Sequence, residues 1–326
     1  MKIINWAILF VCIFLPFFLV MDVHTADLKT VAALNQQYTK ALRTAAQDAG
    51  VILNLNELQE YEAEYQSDKY FKVNKELAID TFFQTLYLNF GVNNDPIGQG
   101  ALAAYIPAVV VMDYDGYYLY VMTEYTDAFG EKNYKHMWRP KKPYAFADDA
   151  GNSFNFTLDE YVHVYDAASK TWVNGLRQDV MKKTNASLLK DTASFDAKRR
   201  STIVKRIQED LAYFINQHNE FSTRNGIHYT FKLPSIPQEE WVNSINDIGM
   251  LAFIQGIPVG DQFYNNYAFG GGRLVKKTVI NGGVDERTGM KYYYQSGCNY
   301  PYRVEETFDS VRDAAAAGYY PRECVR

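Results

Sequence analysis

MKIINWAILFVCIFLPFFLVMDVHTAD, residues 1–27, sets the reading of the whole chain. Ile3 to Met21 contains no charged residue, and the first acid is Asp22. A run of that length is close to the roughly 20 residues that carry a helix across a bilayer core. A secretory signal has a shorter apolar run and a small-x-small cleavage site. The nearest candidate, VHTAD, puts His24 where a small residue belongs, so cleavage after Ala26 is poorly signalled. Pro16 is tolerated in a membrane helix, and Trp6 stands near one end, where an interfacial anchor belongs. Lys2 precedes the run and Asp22 and Asp27 follow it, which orients the amino terminus to the cytoplasm. The stretch therefore predicts an uncleaved single-pass anchor in the cell membrane, with the bulk of the chain extracytoplasmic.

From Leu28 onward, apolar or small residues recur three or four apart at Val31, Leu34, Tyr38, Ala41, Ala45, Ala49 and Ile52. That spacing is one stripe of a helix. No Gly or Pro lies between Leu28 and Ala49, so the membrane helix is expected to run on outside. A continuous helix from Ile3 to Ala49 would be roughly 70 Å long. It could be a stalk folded back on its own domain. It could also be an assembly helix, packing against copies of itself through Val31, Leu34, Tyr38, Ala41 and Ala45. The second reading is the expectation carried forward.

This layout, with the Ala-rich ALRTAAQDAG (Ala41 to Gly50), resembles pseudopilins and minor membrane-anchored components of the tight-adherence (type IVb-like) pilus systems of Gram-positive bacteria. The resemblance covers Met1 to Gly50. It implies a non-enzymatic structural or assembly component of a bacterial cell-surface apparatus, associating through its amino-terminal helix. A processed prepilin has a Gly before its cleavage point and a Glu at the fifth residue after it. Neither stands at the start of this run, which implies an unprocessed membrane component rather than the major pilin.

The chain has 326 residues, a formal net charge of −5, 48% hydrophobic residues, 26 Tyr and 20 Phe. The length suggests one or two domains. The acidity argues against a nucleic-acid partner, which demands a basic face, and the aromatic content argues against disorder. Tyr clusters such as DGYYLYV and KYYYQ suit surfaces half apolar and half wet.

Past the stalk, the stretch 56–91 reads as helix, with Leu77, Phe82, Leu86 and Phe90 as its apolar face and Gly91 closing it. NNDPIGQG reads as a loop. IPAVVVMDYDGYYLYVMTEY reads as two strands around a tight turn formed by Asp113, Asp115 and Gly116. Asp113 and Asp115 could take a cation, but DYDGYYLYVMTE lacks the further oxygen ligands and the closing Glu of an EF-hand. The hairpin is similar to one in extracellular sensor domains of the PAS-like and Cache type. That resemblance implies a second reading, an extracytoplasmic ligand-binding or sensor module acting through a membrane partner, with a pocket near the hairpin.

KHMWRPKKPYAF, with Lys135, Arg139, Lys141 and Lys142, reads as a solvated connection. Another strand pair follows, turning at Ala150 to Asn152. The clearest helix is SFDAKRRSTIVKRIQEDLAYFINQHNEF, N-capped by Ser194, with Ile203, Ile207, Leu211, Phe214, Ile215 and His218 on its buried face. GIHYTFKLP reads as a strand, and the segment from Pro237 to about Gly256 as a helix. Gly270 to Gly272 match no phosphate-binding loop. They read as a bulge or a close backbone approach before the strand pattern RLVKKTVI.

Cys12 lies inside the apolar run, which leaves Cys298 and Cys324 as a pair outside the membrane. Such a pair reads first as a disulfide, worth roughly 3 kcal/mol in loop-closure terms. TFDSVRDAAAAGYYPREC resembles a tail module of DNA-repair and nuclease proteins, in which a Ser-led helix ends in Ala-Gly-Tyr-x-Pro-Cys-x-x-Cys. Phe308 to Pro321 match, but Arg322 replaces the first Cys, which implies a kept scaffold without its metal. The five His form no metal pair with ligand spacing, and no nucleophile elbow is present. No catalytic residue, cofactor or metal is expected. An exported hydrolase built on scattered carboxylates is the third reading.

The sequence thus predicts an α+β chain. Residues 1–21 form a transmembrane helix and 22–55 a helical stalk. Residues 56–290 form an extracytoplasmic antiparallel-sheet domain with packed helices, and 291–326 a disulfide-clipped module. Its expected partners are the membrane, proteins of a surface or secretion apparatus, and copies of itself.

Overall fold

The apolar run and the stripe after it form one helix, α1 (Lys2–Leu53), with Pro16 inside it. At 1.5 Å per residue it is about 78 Å long. The computed structural model describes residues 2–53, 65, 67, 70, 73–271, 280–295, 298, 300–308 and 311–322. The side chains of 2–9, 12, 295 and 311–313 are outside that description. Among the described residues no helix is long and apolar enough to cross a membrane.

Helix α2 (Lys75–Asn89) is capped by Asn74, whose side chain accepts from the Leu77 amide. The expected helix over 56–91 is therefore shorter: Val73 and Asn74 are not helical, and most of 54–72 is outside the described residues. Ala78, Ile79, Phe82 and Leu86 are its buried residues, whereas Leu77 is exposed. The expected loop NNDPIGQG instead opens α3 (Pro96–Ala104), capped by Asp95 with Pro at its first position. That is the usual chemistry of a helix start.

Strands β1 (Ala108–Asp113) and β2 (Gly116–Thr126) form the expected hairpin. β3 (Lys132–Trp138) and β4 (Lys142–Ala147) occupy the segment expected to be a solvated connection. β5 (Ser153–Phe156), β6 (Tyr161–Asp166) and β7 (Thr171–Leu176) continue the meander. A short helix, α4 (Arg177–Met181), leads to α5 (Thr192–Arg224). The cap of α5 is Asp191, not Ser194: its carboxylate accepts from the Ser194 amide at 2.8 Å. The predicted α5 face is buried from Ile203 to His218.

GIHYTFKLP is not a strand. Its backbone is paired by two side-chain amides, Asn219 bonding both the amide and the carbonyl of Phe231, and Gln255 those of Lys232. The helix expected from Pro237 is only α6 (Gln238–Ser244). Its apolar second half is β8 (Gly249–Val259), followed by β9 (Gln262–Gly271). β8 is buried along nearly its whole length because it is a central strand, with β1 on one side and β9 on the other. A short apolar run covered on both faces carries no period to separate strand from helix.

The strands make one antiparallel sheet in the order β7-β6-β5-β4-β2-β1-β8-β9, with β3 also on β2. Alternation sends Tyr118 and Tyr120 to one face, where Tyr120 meets Phe83 of α2. Tyr117 goes to the other face, its hydroxyl 2.7 Å from Asp210 of α5. On β9, Tyr264 and Asn266 reach Thr39 of α1, while Phe269 points oppositely to Trp241 of α6. Helices α1 and α2 therefore cover one face, and α5 and α6 the other. The architecture is α+β with an antiparallel sheet, as expected.

The chain divides into two compact units, Met1–Leu274 and Val275–Arg326. In the second, β10 (Ile280–Val284), β11 (Lys291–Gln295), β12 (Arg303–Phe308) and β13 (Tyr320–Pro321) form a sheet in the order β12-β10-β11-β13. Helix α7 (Val311–Ala316) precedes β13. Because β10 pairs with β11 and β12, this unit begins well before residue 291.

Candidate functional site

Helix α1 has two halves with opposite surroundings. Its second half is docked on the sheet. Ala41, Leu42, Ala45, Ala46, Ala49 and Leu53 are buried, and Val31, Leu34 and Tyr38 pack against the core. The contact is a close backbone approach: a Cβ on Gly270 of β9 would lie 1.6 Å from the Ala46 carbonyl oxygen. Docking begins at Val31, whose side chain abuts Gly260 in the β8–β9 turn. Tyr38 stacks on Phe90 after α2 with ring centroids 4.8 Å apart. The face expected to associate with other copies is therefore taken up by the chain's own sheet, because Ala41 and Ala45 have no surface left to offer. The Gly270 approach agrees with the close-contact reading of the glycine run, while residues 272–279 are outside the described residues.

The first half is different. From Phe10 to Val23 the described apolar side chains are exposed all round the helix, with four successive residues, Phe17, Phe18, Leu19 and Val20, at 59, 64, 57 and 67%. A helix apolar on every side belongs inside a larger apolar environment. Asp22, Asp27 and Lys29 mark the end of that belt.

The β1–β2 hairpin is tighter than expected. Asp113 pairs directly with Gly116, so the two turn residues are Tyr114 and Asp115. Gly116 is required by packing, since a Cβ there would lie 2.4 Å from the Lys142 carbonyl oxygen. The Lys141 ammonium sits between the two acids, 2.7 Å from Asp113 Oδ2 and paired also with Asp115. Tyr65 donates to the other Asp115 oxygen at 2.6 Å. Burial pushes Asp113 up to about 6 in spite of the ion pair. Burial would lower Lys141, but the charges of Asp113 and Asp115 outweigh it and hold the ammonium above its ordinary range. This cluster is an ion triad in which Lys141 already fills the space between buried Asp113 and half-buried Asp115. Among the described residues no group of three or more His, Cys, Asp or Glu could hold a metal.

One depression, of about 290 Å³, reaches Met112 beside the hairpin turn and is otherwise lined by residues of α6, β8 and β9 and the α6–β8 connection; two others lie away from the turn. One, of about 300 Å³, is lined by Glu124, Tyr134, Arg139, Glu220 and Arg224 at the far end of β2. Arg224 there bonds Glu124 at 3.0 Å, and Lys132 bonds the same carboxylate at 2.7 Å. The hydrogen bonds from Lys132 and Tyr134 hold Glu124 down at about 2. A second, of about 440 Å³, crosses β4 to β7.

Two histidines, buried His218 and half-buried His136, lie against the α3–β1 connection. His218 Nε2 lies 2.9 Å from the Ala104 carbonyl and His136 Nε2 3.0 Å from that of Ile106. A carbonyl only accepts, so each Nε2 carries a proton. Burial pushes His218 down to about 4 and lowers His136 as well. These are structural groups. In the second unit, Cys298 is disulfide-bonded, while Cys324 is outside the described residues.

No protein-family model, curated protein or solved structure matches the chain. In the sequence Lys141 reads as part of a solvated connection, not as a partner of the hairpin acids. The signal available was a Lys next to an apolar strand start, which resembles any surface lysine.

Proposed function

We propose that this chain is a non-enzymatic, membrane-anchored structural component of a bacterial cell-surface apparatus, pilin-like in layout, held in the membrane and associating through the first half of α1. One observation carries the reading: a single unbroken helix whose second half is locked to an antiparallel sheet and whose first half exposes apolar side chains on every side. Such a belt finds its environment in lipid or against equivalent helices. Association is assigned to this belt, not to the stripe from Val31 to Ala45.

The test is a single-cysteine scan of residues 13–23 in a Cys12→Ser background, in native membranes. Crosslinks between copies recurring with the helical period, in a protein that resists alkaline carbonate extraction, are the expected result. A chain released by carbonate and uncrosslinked at every position would overturn it.

A further inference from the structure

Among the described residues no helix covers one face of β4 to β7, where Tyr65 packs against Tyr161 and His163 and the outer end is left exposed. On β4 to β7, Phe154, Phe156, Val162 and Val164 point into the core and are buried. Their neighbours in sequence point the opposite way. The register lines them up across the strands: Ala147 opposes Ser153, Ser153 opposes Tyr165, and Tyr165 opposes Trp172. At the spacing of neighbouring strands this row is about 14 Å long. At its outer end Trp172 is 60% exposed, on the edge strand. Its ring centroid is 5.5 Å from that of Tyr165. At the inner end Ala145 and Ala147 leave room, and the depression of about 440 Å³ spans all four strands.

The chemistry of the lining is uncharged. Ser153 and Asn155 make no side-chain hydrogen bond among the described residues. Arg206 is the single charged residue at the depression, and it is engaged: Nε donates to the Ala145 carbonyl at 2.9 Å and Nη1 pairs with Glu209 at 3.2 Å. The nearest other cation, Lys198, lies over the Phe146 ring, 4.7 Å from its centroid, and is not among the residues that line the depression. An exposed indole edged by a free amide and a free hydroxyl suits a ligand with an apolar face and a neutral polar rim. A pyranose ring has that form, with C–H bonds on its face and hydroxyls around its edge.

We propose that this face binds a neutral glycan, with Trp172 as the stacking platform, Tyr165 beside it, and Asn155 and Ser153 bonding the hydroxyl rim. The inference does not depend on the anchoring proposed above, because it is tested in detergent on the dispersed full-length chain.

The probes are short β-linked oligomers of glucose and of N-acetylglucosamine, titrated by isothermal calorimetry. One of these series is expected to bind, Trp172→Ala to weaken it about tenfold or more, and Trp172→Phe to retain part of it. Asn155→Ala is expected to weaken binding without moving the melting curve, since its side chain holds no described partner. Three results would overturn the inference: no heat from either series at millimolar concentration, unchanged binding by Trp172→Ala, or preference for an acidic oligosaccharide or a proline-rich peptide over the neutral sugars.

Discussion

Gly270 of β9 and Ala46 of α1 are in backbone contact, so close that a single added Cβ would fall 1.6 Å from the Ala46 carbonyl oxygen. Gly50, one turn further on, meets the same strand, where a Cβ would come within 2.8 Å of the Gly270 backbone. Gly270→Ala must push helix and strand apart. It is expected to cost about 3 kcal/mol, the upper end of overpacking effects. Gly271→Ala is the control, since nothing lies within 4 Å of its Cβ position. Denaturant midpoints of the two full-length variants check the prediction, and equal midpoints would refute it.

Lys141 offsets the charge of a carboxylate that is almost fully buried. Lys141→Met leaves Asp113 without its cation and is expected to destabilise by about 3 kcal/mol at neutral pH. Adding Asp113→Asn removes the stranded charge, so the double variant should recover most of the loss. A double variant less stable than Lys141→Met alone would show that the pair is not the source of the effect.

His218 and Asp113 tilt the pH profile in opposite directions. His218 falls from an ordinary 6.5 to about 4, so the unfolded chain takes up its proton first. Its contribution is complete above pH 6.5 and is lost as pH falls toward 4. Asp113 rises from 3.8 to about 6, so the folded chain takes up its proton first. Its contribution grows as pH falls from 6 toward 3.8. Between pH 4 and 6 the two offset each other. His218→Gln should therefore make stability fall less steeply on acidification, and Asp113→Asn more steeply. Urea titrations at several pH values read both slopes, and a common slope for all three proteins would contradict the assignment.

We expect the bond at Cys298 to run to Cys324. Peptide mapping without reduction should give one crosslinked pair joining these residues, with Cys12 free to alkylation. A link from Cys298 to Cys12, or between chains, would exclude it.

The legible parts of this fold were those with an uninterrupted period. The α5 stripe from Ile203 to His218 and the β1–β2 hairpin follow from spacing alone, and so does the continuity of α1. The parts that misled share one physical cause, contact with something distant in sequence. GMLAFIQ reads as helix or strand equally well, and only β1 and β9 on either side decide it. The stripe Val31 to Ala45 announces partners but not which ones, and they are α2 together with β8 and β9, the strands more than two hundred residues away. Lys135 and Lys141 look alike in sequence, yet one lies along a strand and the other pairs with a buried acid, Asp113, and a half-buried one, Asp115. The start of α3 is legible in Asp95-Pro96, a cap followed by a first-turn proline, although the glycines after it read as loop.

The docked half of α1 has a mechanical meaning. Tension on the amino-terminal end would act along the helix axis and meet the sheet as shear, not as peeling. From Val31 to Leu53 the contact is about 33 Å long at 1.5 Å per residue. Its small residues, Ala46 and Gly270 among them, interlock backbone with backbone instead of relying on a few long side chains. A load is then shared along the whole contact, and no single bond has to yield first. A chain pulled from one end would hold its sheet to the helix until the seam slips as a unit.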